Sequence, residues 1–311
     1  MKKNSKIFVA GHQGLVGSNI TKKLQQQGYT NLILKTFSEL NLMDFEATKK
    51  FFETEKPEYT FLAAAKVGGI LANKDFGGDF IYNNLSIEIN VIKSAQLAKV
   101  TKLLFLGSSC IYPRDCPQPI KEEYLMTGPL EETNKPYAVA KIAGIVMCQA
   151  FNKQYGTNFI SVMPTNLYGP DDNFDLKNSH VLPALIRKMH EAKESNSPTV
   201  EIWGTGTPKR EFLFVEDLAD ACVYLMNNYD DPSIINIGVG QDLTIKELAQ
   251  TIKEIVGFKG QLEFDTSKPD GTPRKLLDVS KLNSTGWKAK TDLKDGIQFS
   301  YTWFVEHWKD K

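Results

Sequence analysis

The chain of 311 residues carries 37 basic and 37 acidic side chains, so no net field draws it to nucleic acid or an anionic membrane, and its length suits one large α/β domain with or without a smaller lobe. It holds no run of about 18 apolar residues, and "MKKNSKIFVAG" enters a strand without the apolar core and cleavage site of a signal peptide, so a soluble cytoplasmic protein is expected. The four cysteines form no CxxC pair and the four histidines show no ligand spacing, so neither zinc nor any other metal is expected.

In chain order, apolar β-branched runs alternate with helix-period stretches, the pattern of βαβ units and a parallel sheet. Strands are predicted at 6–11, 31–36, 59–65, 102–109 and 159–169, with helices near 15–27, 45–54, 84–100 and 137–155 between them. After residue 170 comes a loop-rich run, "GPDDNFDLKNSH", then a helix at 181–194. The segment "VEIWGTGTPKREFLFVEDLADACVYL" mixes strand and helix signals, and "TIKELAQTIKEIVG" supplies a later helix before the turn-rich "SKPDGTPRK". No repeat or low-complexity linker separates the halves, which predicts two interleaved lobes.

Three stretches carry chemistry. "VAGHQGLVGSNI" sets Gly11, Gly14 and Gly17 between the first strand and first helix, where a tight turn and free helix N–H groups suit a dinucleotide pyrophosphate. The second strand ends in "LILKTFSEL", with Lys35 and no acid before Glu39. Lys35 either meets the 2′-phosphate of NADPH or is an ordinary solvated lysine; an NAD enzyme usually shows an acid there. "LLFLGSSCIYP" is a buried strand that opens onto Ser108 and Cys110, the thiol being packing, metal ligand, disulfide partner or chemistry. "NKPYAVAKIAG" adds Tyr137 and Lys141 one helical turn apart. With only four Arg among the basic residues, one Tyr-x-x-x-Lys is expected by chance. This one gains meaning from Ser108 upstream and the glycine loop at the start. Lys141 is expected to lower the pKa of Tyr137 toward a usable acid–base range.

With these motifs the chain resembles the extended short-chain dehydrogenase/reductases. "GSSCIYP", "NKPYAVAKIAG", "SVMPTNLYGPDDNF", "NSHVLPALIRKMHEA", "WGTGTPKREFLFVED" and "SKPDGTPRKLLDVSKL" narrow the resemblance to the GDP-L-fucose synthase family, over residues 6 to about 305. The resemblance implies a Rossmann-type doubly wound sheet, an NADP-binding part over 1–168 to which later segments return, and a smaller interleaved lobe over 169–311 for the nucleotide sugar. It also implies 3,5-epimerisation and then NADPH-dependent 4-reduction of GDP-4-keto-6-deoxy-mannose. Tyr137, Lys141 and Ser108 would serve the reduction, with Cys110 and His180 as base and acid of the epimerisation.

By the same resemblance the cofactor meets Gly11, Gly14, Leu15, Val16, Gly17, Lys35, Asn41, Ala63, Leu106, Gly107, Ser109, Lys141 and His180. Pro164, Thr165, Asn166 and Leu167 line its nicotinamide. The sugar nucleotide meets Ser109, Asn166, Lys188, Trp203, Arg210, Asp270 and Arg274. Gln13 and Phe37 stand where family members can present arginines, so NADPH rests here on Lys35 and backbone contacts. A homodimer through a four-helix bundle of the helices near 84–100 and 137–155 is implied as well. Three other readings stay in view. A sugar-nucleotide dehydratase lacks its acidic pair in "GSSCIYP"; a GDP-4-keto-heptose reductase without epimerase activity fits the motifs; a non-catalytic dinucleotide-binding regulator would be expected to lose the Tyr/Lys pair.

Overall fold

Strand β1 (Ile7–Ala10) sends Ile7 and Val9 into one apolar core and Phe8 and Ala10 into another, and all four are buried because helices cover both faces of the sheet. The computed structural model describes residues 1–176, 179–268 and 270–308. After β1 come α1 (Leu15–Gln26), β2 (Leu32–Ile33), α2 (Phe45–Glu55), β3 (Tyr59–Leu62), α3 (Ile70–Asp75), α4 (Gly77–Leu97), β4 (Lys102–Leu106), α5 (Lys135–Tyr155) and β5 (Phe159–Pro164). Further on lie β6 (Asn166–Tyr168), α6 (Val181–Glu194), β7 (Thr199–Trp203), β8 (Lys209–Arg210), β9 (Phe212–Phe214), α7 (Val215–Asn228) and β10 (Ile235–Ile237). The chain closes with β11 (Leu243–Thr244), α8 (Ile245–Val256), β12 (Gln261–Asp265), β13 (Arg274–Lys275), α9 (Ser280–Ser284) and α10 (Leu293–His307).

The central sheet is parallel throughout, in the order β10-β5-β4-β3-β1-β2. The chain runs one way from β1 to β2 and the other way from β3 onward, so the crevice where open α/β sheets bind ligands lies beyond the ends of β1 and β3. Helices α1 and α7 cover one face; α2, α4 and α5 cover the other. A third core gathers Tyr168, Phe174, Leu185, Ile186, Leu248, Ile252 and Phe304 under α6, α8 and α10, beside the small β7–β12 sheet. The fold is thus doubly wound, and α7 and β10 return from late in the sequence to the first lobe.

Five predicted elements differ by three residues or more, among them the strand predicted at 59–65, which ends at Leu62. The strand predicted at 31–36 keeps two residues, because it is the sheet edge and pairs with β1 alone. The run predicted as one strand at 159–169 is two: β5 stays in the central sheet, and after Thr165 the chain leaves it to pair β6 with β9. The strand predicted to 109 stops at Leu106, where Gly107 begins the turn into Ser108. Helix α4 begins at Gly77, seven residues before the predicted start, since Phe80 and Asn84 already continue its buried stripe. Lys177 and Asn178 in the predicted loop, and Pro269 in "SKPDG", lie outside the described residues.

Candidate active site

The glycine loop closes on itself. Gly11 has φ +84°, Gly14 N–H donates to its carbonyl at 3.0 Å, and a Cβ on Gly17 would lie 2.1 Å from the same oxygen. A Cβ on Gly11 would also strike Ala64 just beyond β3, so this loop fills the switch point. Leu15 and Val16 open α1 behind an N-cap, Gly14, that offers no side-chain hydrogen bond, which leaves the first-turn N–H groups for an anion. Such a cradle fits a dinucleotide pyrophosphate.

The loop after β2 is arranged differently from its reading in sequence. Glu39 is not a free acceptor for a ribose hydroxyl: its carboxylate accepts from Thr36 N at 2.8 Å and Thr36 Oγ1 at 2.7 Å. Those two bonds, with Lys35 and His12 adding less, hold it below the usual carboxylate range. Phe37 stands 72% exposed, and Lys35 beside it is half-buried. Asn41 turns its side chain back onto Met43 N, and Ala63 N–H donates to Ala10 O at the end of β3.

The turn after β4 gathers the reactive side chains. Gly107 donates to Val162 O at 2.9 Å, and a Cβ there would lie 2.5 Å from the Met163 sulfur, so the Met163 side chain occupies the space that a larger residue at 107 would take. Ser108 caps the short 3₁₀ turn by accepting from Cys110 N at 3.2 Å, with Ser109 buried beneath. The same hydroxyl faces the Tyr137 phenol and the Cys110 thiol and favours the charged form of each. Burial pushes the Tyr137 phenol up, the charges of Cys110 and Glu88 push it further, and Ser108 only partly offsets them.

The expectation that Lys141 lowers the Tyr137 pKa therefore fails in this arrangement. Lys141, 2% exposed, donates to Leu106 O at 2.9 Å and pairs with Glu88 Oε1 at 3.0 Å, so its charge is directed at α4 instead. Burial raises the Glu88 carboxyl and Lys141 opposes that rise. The pair is possible because α5 carries Gly144 opposite: a Cβ there would lie 2.9 Å from Glu88 Oε2 and 2.5 Å from Phe105. Sequence reading missed Glu88. Its signal was an acid on the Phe80–Asn84–Glu88 stripe that α4 buries.

For Cys110, burial raises the thiol, but Lys275 first, then Ser108 and Arg210, more than offset it, and the net shift is downward. Lys275 Nζ lies 3.4 Å from Cys110 Sγ. Sequence reading passed over Lys275 although it quoted the motif that contains it. His180, the N-cap of α6, keeps a solvent-exposed surface, while crowding by the surrounding chain and then Lys275 lower its imidazole pKa. Lys275 thus acts on both candidate epimerisation groups.

The nicotinamide motif hangs from Ile237 and Glu211. Pro164 ends β5 beside Ile237, Thr165 N–H donates to Ile237 O, Asn166 Nδ2 donates to Glu211 O at 2.8 Å, and Leu167 lies in β6. Of the sugar-nucleotide candidates, Lys188 Nζ lies 5.4 Å from the centre of the half-exposed Trp203 ring and donates to Glu201 O. Arg210, lowered by burial, faces Asp270 and Cys110, which act against that shift. The Asp270 carboxylate accepts from Thr205 N and Oγ1 in the loop after β7, at 2.7 and 2.9 Å. Arg274 directs its guanidinium fork at Asp242, at 2.5 and 3.3 Å. Among the described residues, no cluster of three or more His, Cys, Asp or Glu could hold a metal ion, and no helix is long and apolar enough to cross a membrane.

A parallel doubly wound sheet, a glycine loop at its switch point and a Ser–Tyr–Lys group at the end of β4 define an extended short-chain dehydrogenase/reductase. The chain belongs to the NAD dependent epimerase/dehydratase family, which its residues 7–238 match. It is 59% identical to GDP-L-fucose synthase 1 of Arabidopsis thaliana over 98% of this chain and 94% of that one. It is 53% identical to GDP-L-fucose synthase of Escherichia coli K12, over 97% of each chain. Among solved structures, a GDP-mannoheptose C4 reductase from Campylobacter jejuni with NADP bound superposes with a TM-score of 0.90 at 47% identity, covering 98% of this chain and 99% of that one.

Proposed function

We propose that the chain is an NADPH-dependent epimerase and reductase of a GDP-linked 4-keto-6-deoxy sugar, inverting carbons 3 and 5 and then reducing the ketone to GDP-L-fucose or a close relative. One observation carries this reading: Ser108 Oγ, held by Cys110 N at 3.2 Å, acts on both the Tyr137 phenol and the Cys110 thiol, so the proton donor of a reduction and the base of an epimerisation share one oxyanion site. The relatives' names support the same substrate class.

A ketone at carbon 4 acidifies the hydrogens at carbons 3 and 5. Cys110 takes such a proton as the thiolate, and His180 returns one from the opposite face. Ser108 and Tyr137 hold the enolate oxygen; Tyr137 later protonates that oxygen during reduction. The dinucleotide, when bound, supplies the hydride. Gly11, Gly14 and Gly17 with the first turn of α1 hold its pyrophosphate, Lys35 its 2′-phosphate and Lys141 its nicotinamide ribose, beside Pro164 to Leu167. Lys188, Trp203, Arg210 and Asp270 hold the GDP sugar. The cofactor part is residues 1–168 with α7 and β10 added, and the sugar-nucleotide part is the rest of 169–311.

Two chains pair through α4 and α5. The support is a surface apolar row, Tyr82 and Ile89 on α4 and Val139 and Val146 on α5, each pair seven residues apart and each side chain 38–65% exposed. Ile89→Glu should turn a dimer into a monomer in light scattering, and unchanged mass removes this interface. The cytoplasm is the compartment we assign, supported by four cysteines that are all free.

The heptose reductase reading is favoured by the Campylobacter jejuni structure. Incubation with GDP-4-keto-6-deoxy-mannose or a GDP-4-keto-heptose and NADPH in heavy water separates the two. The main reading expects deuterium at carbons 3 and 5 of a reduced 6-deoxy sugar; reduction without uptake would leave a plain 4-reductase.

A further inference from the structure

Lys275 is a half-buried cation for which no carboxylate ion pair exists among the described residues. Its ammonium donates to the Cys110 sulfur at 3.4 Å, across 165 residues of sequence. The main chain fixes it there. Lys275 is the register partner of Arg210, Leu276 N–H donates to Gln118 Oε1 at 2.9 Å, and Leu277 N–H donates to Glu211 Oε2 at 3.0 Å. Ile120 N–H bonds Leu276 O at 2.7 Å and Asp278 N–H bonds Ile120 O at 2.8 Å, so the segment is tied down on both sides.

The groups that face Cys110 are Lys275 from β13, Arg210 from β8, Tyr137 from α5 and Ser108 from its own turn; His180 and Cys116 face Lys275. Two of the four groups on the sulfur are cations and the other two are neutral hydroxyls; Asp270 faces Arg210 as well, whereas Lys275 has no carboxylate ion pair among the described residues, which leaves the thiolate as its counter-charge. The other cysteines lack such partners. Burial raises Cys116 and Cys222, and pushes Cys148 up to about 12.

We propose that Lys275 is a positioning residue whose ammonium favours the thiolate of Cys110 and aims its sulfur at the sugar, thereby setting the pH at which epimerisation starts. The proposal rests on Cys110 being the epimerisation base. In that step Sγ takes the proton, the C–H electron pair enters the enolate, and the charge settles on the carbon 4 oxygen beside Ser108 and Tyr137. His180 protonates the opposite face and regains a proton from solvent, while the new S–H releases its proton to solvent. Lys275 stays protonated throughout.

The test reads the thiolate directly, without substrate. Iodoacetamide alkylation of the Cys110 peptide is followed by mass spectrometry from pH 5 to 10 in wild type, Lys275→Gln and Lys275→Arg. A cation at this distance shifts a thiol by about one pH unit even at the dielectric of water, so the alkylation profile of Lys275→Gln should move up by about one pH unit, with the rate about tenfold lower on its acid side. Lys275→Arg should restore most of the rate. Unreactive Cys148 and Cys222 in the same digests certify each fold; where Lys275→Gln exposes them, the Arg variant and wild type carry the comparison, both expected to titrate below the free thiol. Superimposable profiles for wild type and Lys275→Gln overturn the proposal, as does an Arg variant as slow as the Gln variant. In the deuterium assay, the acid limb of uptake should move up by the same interval in Lys275→Gln. Wild type that takes up no deuterium overturns the epimerase reading instead, and the alkylation profile alone decides the pairing.

Discussion

Glu211 is the residue whose loss the structure makes most costly. It is fully buried between the two lobes, and its carboxylate accepts three backbone N–H groups: Val239 at 2.6 Å, Gly240 at 2.7 Å and Leu277 at 3.0 Å. Its own carbonyl receives the Asn166 side chain at 2.8 Å. A Cβ on Gly238 would lie 2.3 Å from Glu211 Oε1, so the loop after β10 is shaped around this one side chain. Glu211→Ala leaves three N–H donors without an acceptor. Each costs about 1–3 kcal/mol, so even at the low end the loss is about 3 kcal/mol. A chain of 311 residues unfolds with about 0.65 kcal/mol per kelvin of entropy, so the melting temperature should fall by about 5 °C. Glu211→Gln keeps one good acceptor but turns an NH₂ toward an N–H, and should fall between the two. Differential scanning calorimetry at constant pH reads both variants, with NADPH absent. An alanine variant that melts within about 1 °C of wild type would refute the reasoning, because it would mean that water satisfies the three donors at no cost.

Three further outcomes are expected. Tyr137→Phe should lower turnover about 100-fold or more, the worth of a positioned general acid, with NADPH affinity by fluorescence titration little changed; near-normal turnover would remove Tyr137 from the mechanism. Lys35→Ala should raise KM for NADPH about tenfold to a hundredfold and leave NADH nearly untouched, since only the former has a 2′-phosphate; equal effects on both would show that Lys35 does not read it. Because crowding by the surrounding chain and Lys275 lower His180 below its ordinary 6.5, its acid form is lost as pH rises through that lowered value. Deuterium uptake at the carbon it protonates should therefore already be declining as pH rises toward 6.5, and His180→Asn should abolish that limb; an unaltered profile in the variant would exclude the role.

What the sequence determined by itself was whatever repeats or touches within a few residues. The alternation of β-branched runs and helix periods implied a parallel sheet, and the spacing of Gly11, Gly14 and Gly17 implied the loop that closes on itself at its switch point. Tyr137 and Lys141 share a helix face because four residues make about one turn, whatever the rest of the chain does. Partners were another matter. The turn between β4 and Cys110 could be foreseen, but not that a lysine 165 residues later would reach the sulfur, nor that Glu88 would claim the Lys141 charge expected at Tyr137. The break of 159–169 into β5 and β6 depends on β9 and β10 lying ready to pair with each half. Tertiary structure decided these because a charge or a strand edge has no periodicity to betray its partner: which one it meets depends on the packing of distant segments, and burial then makes that one contact dominate all the others.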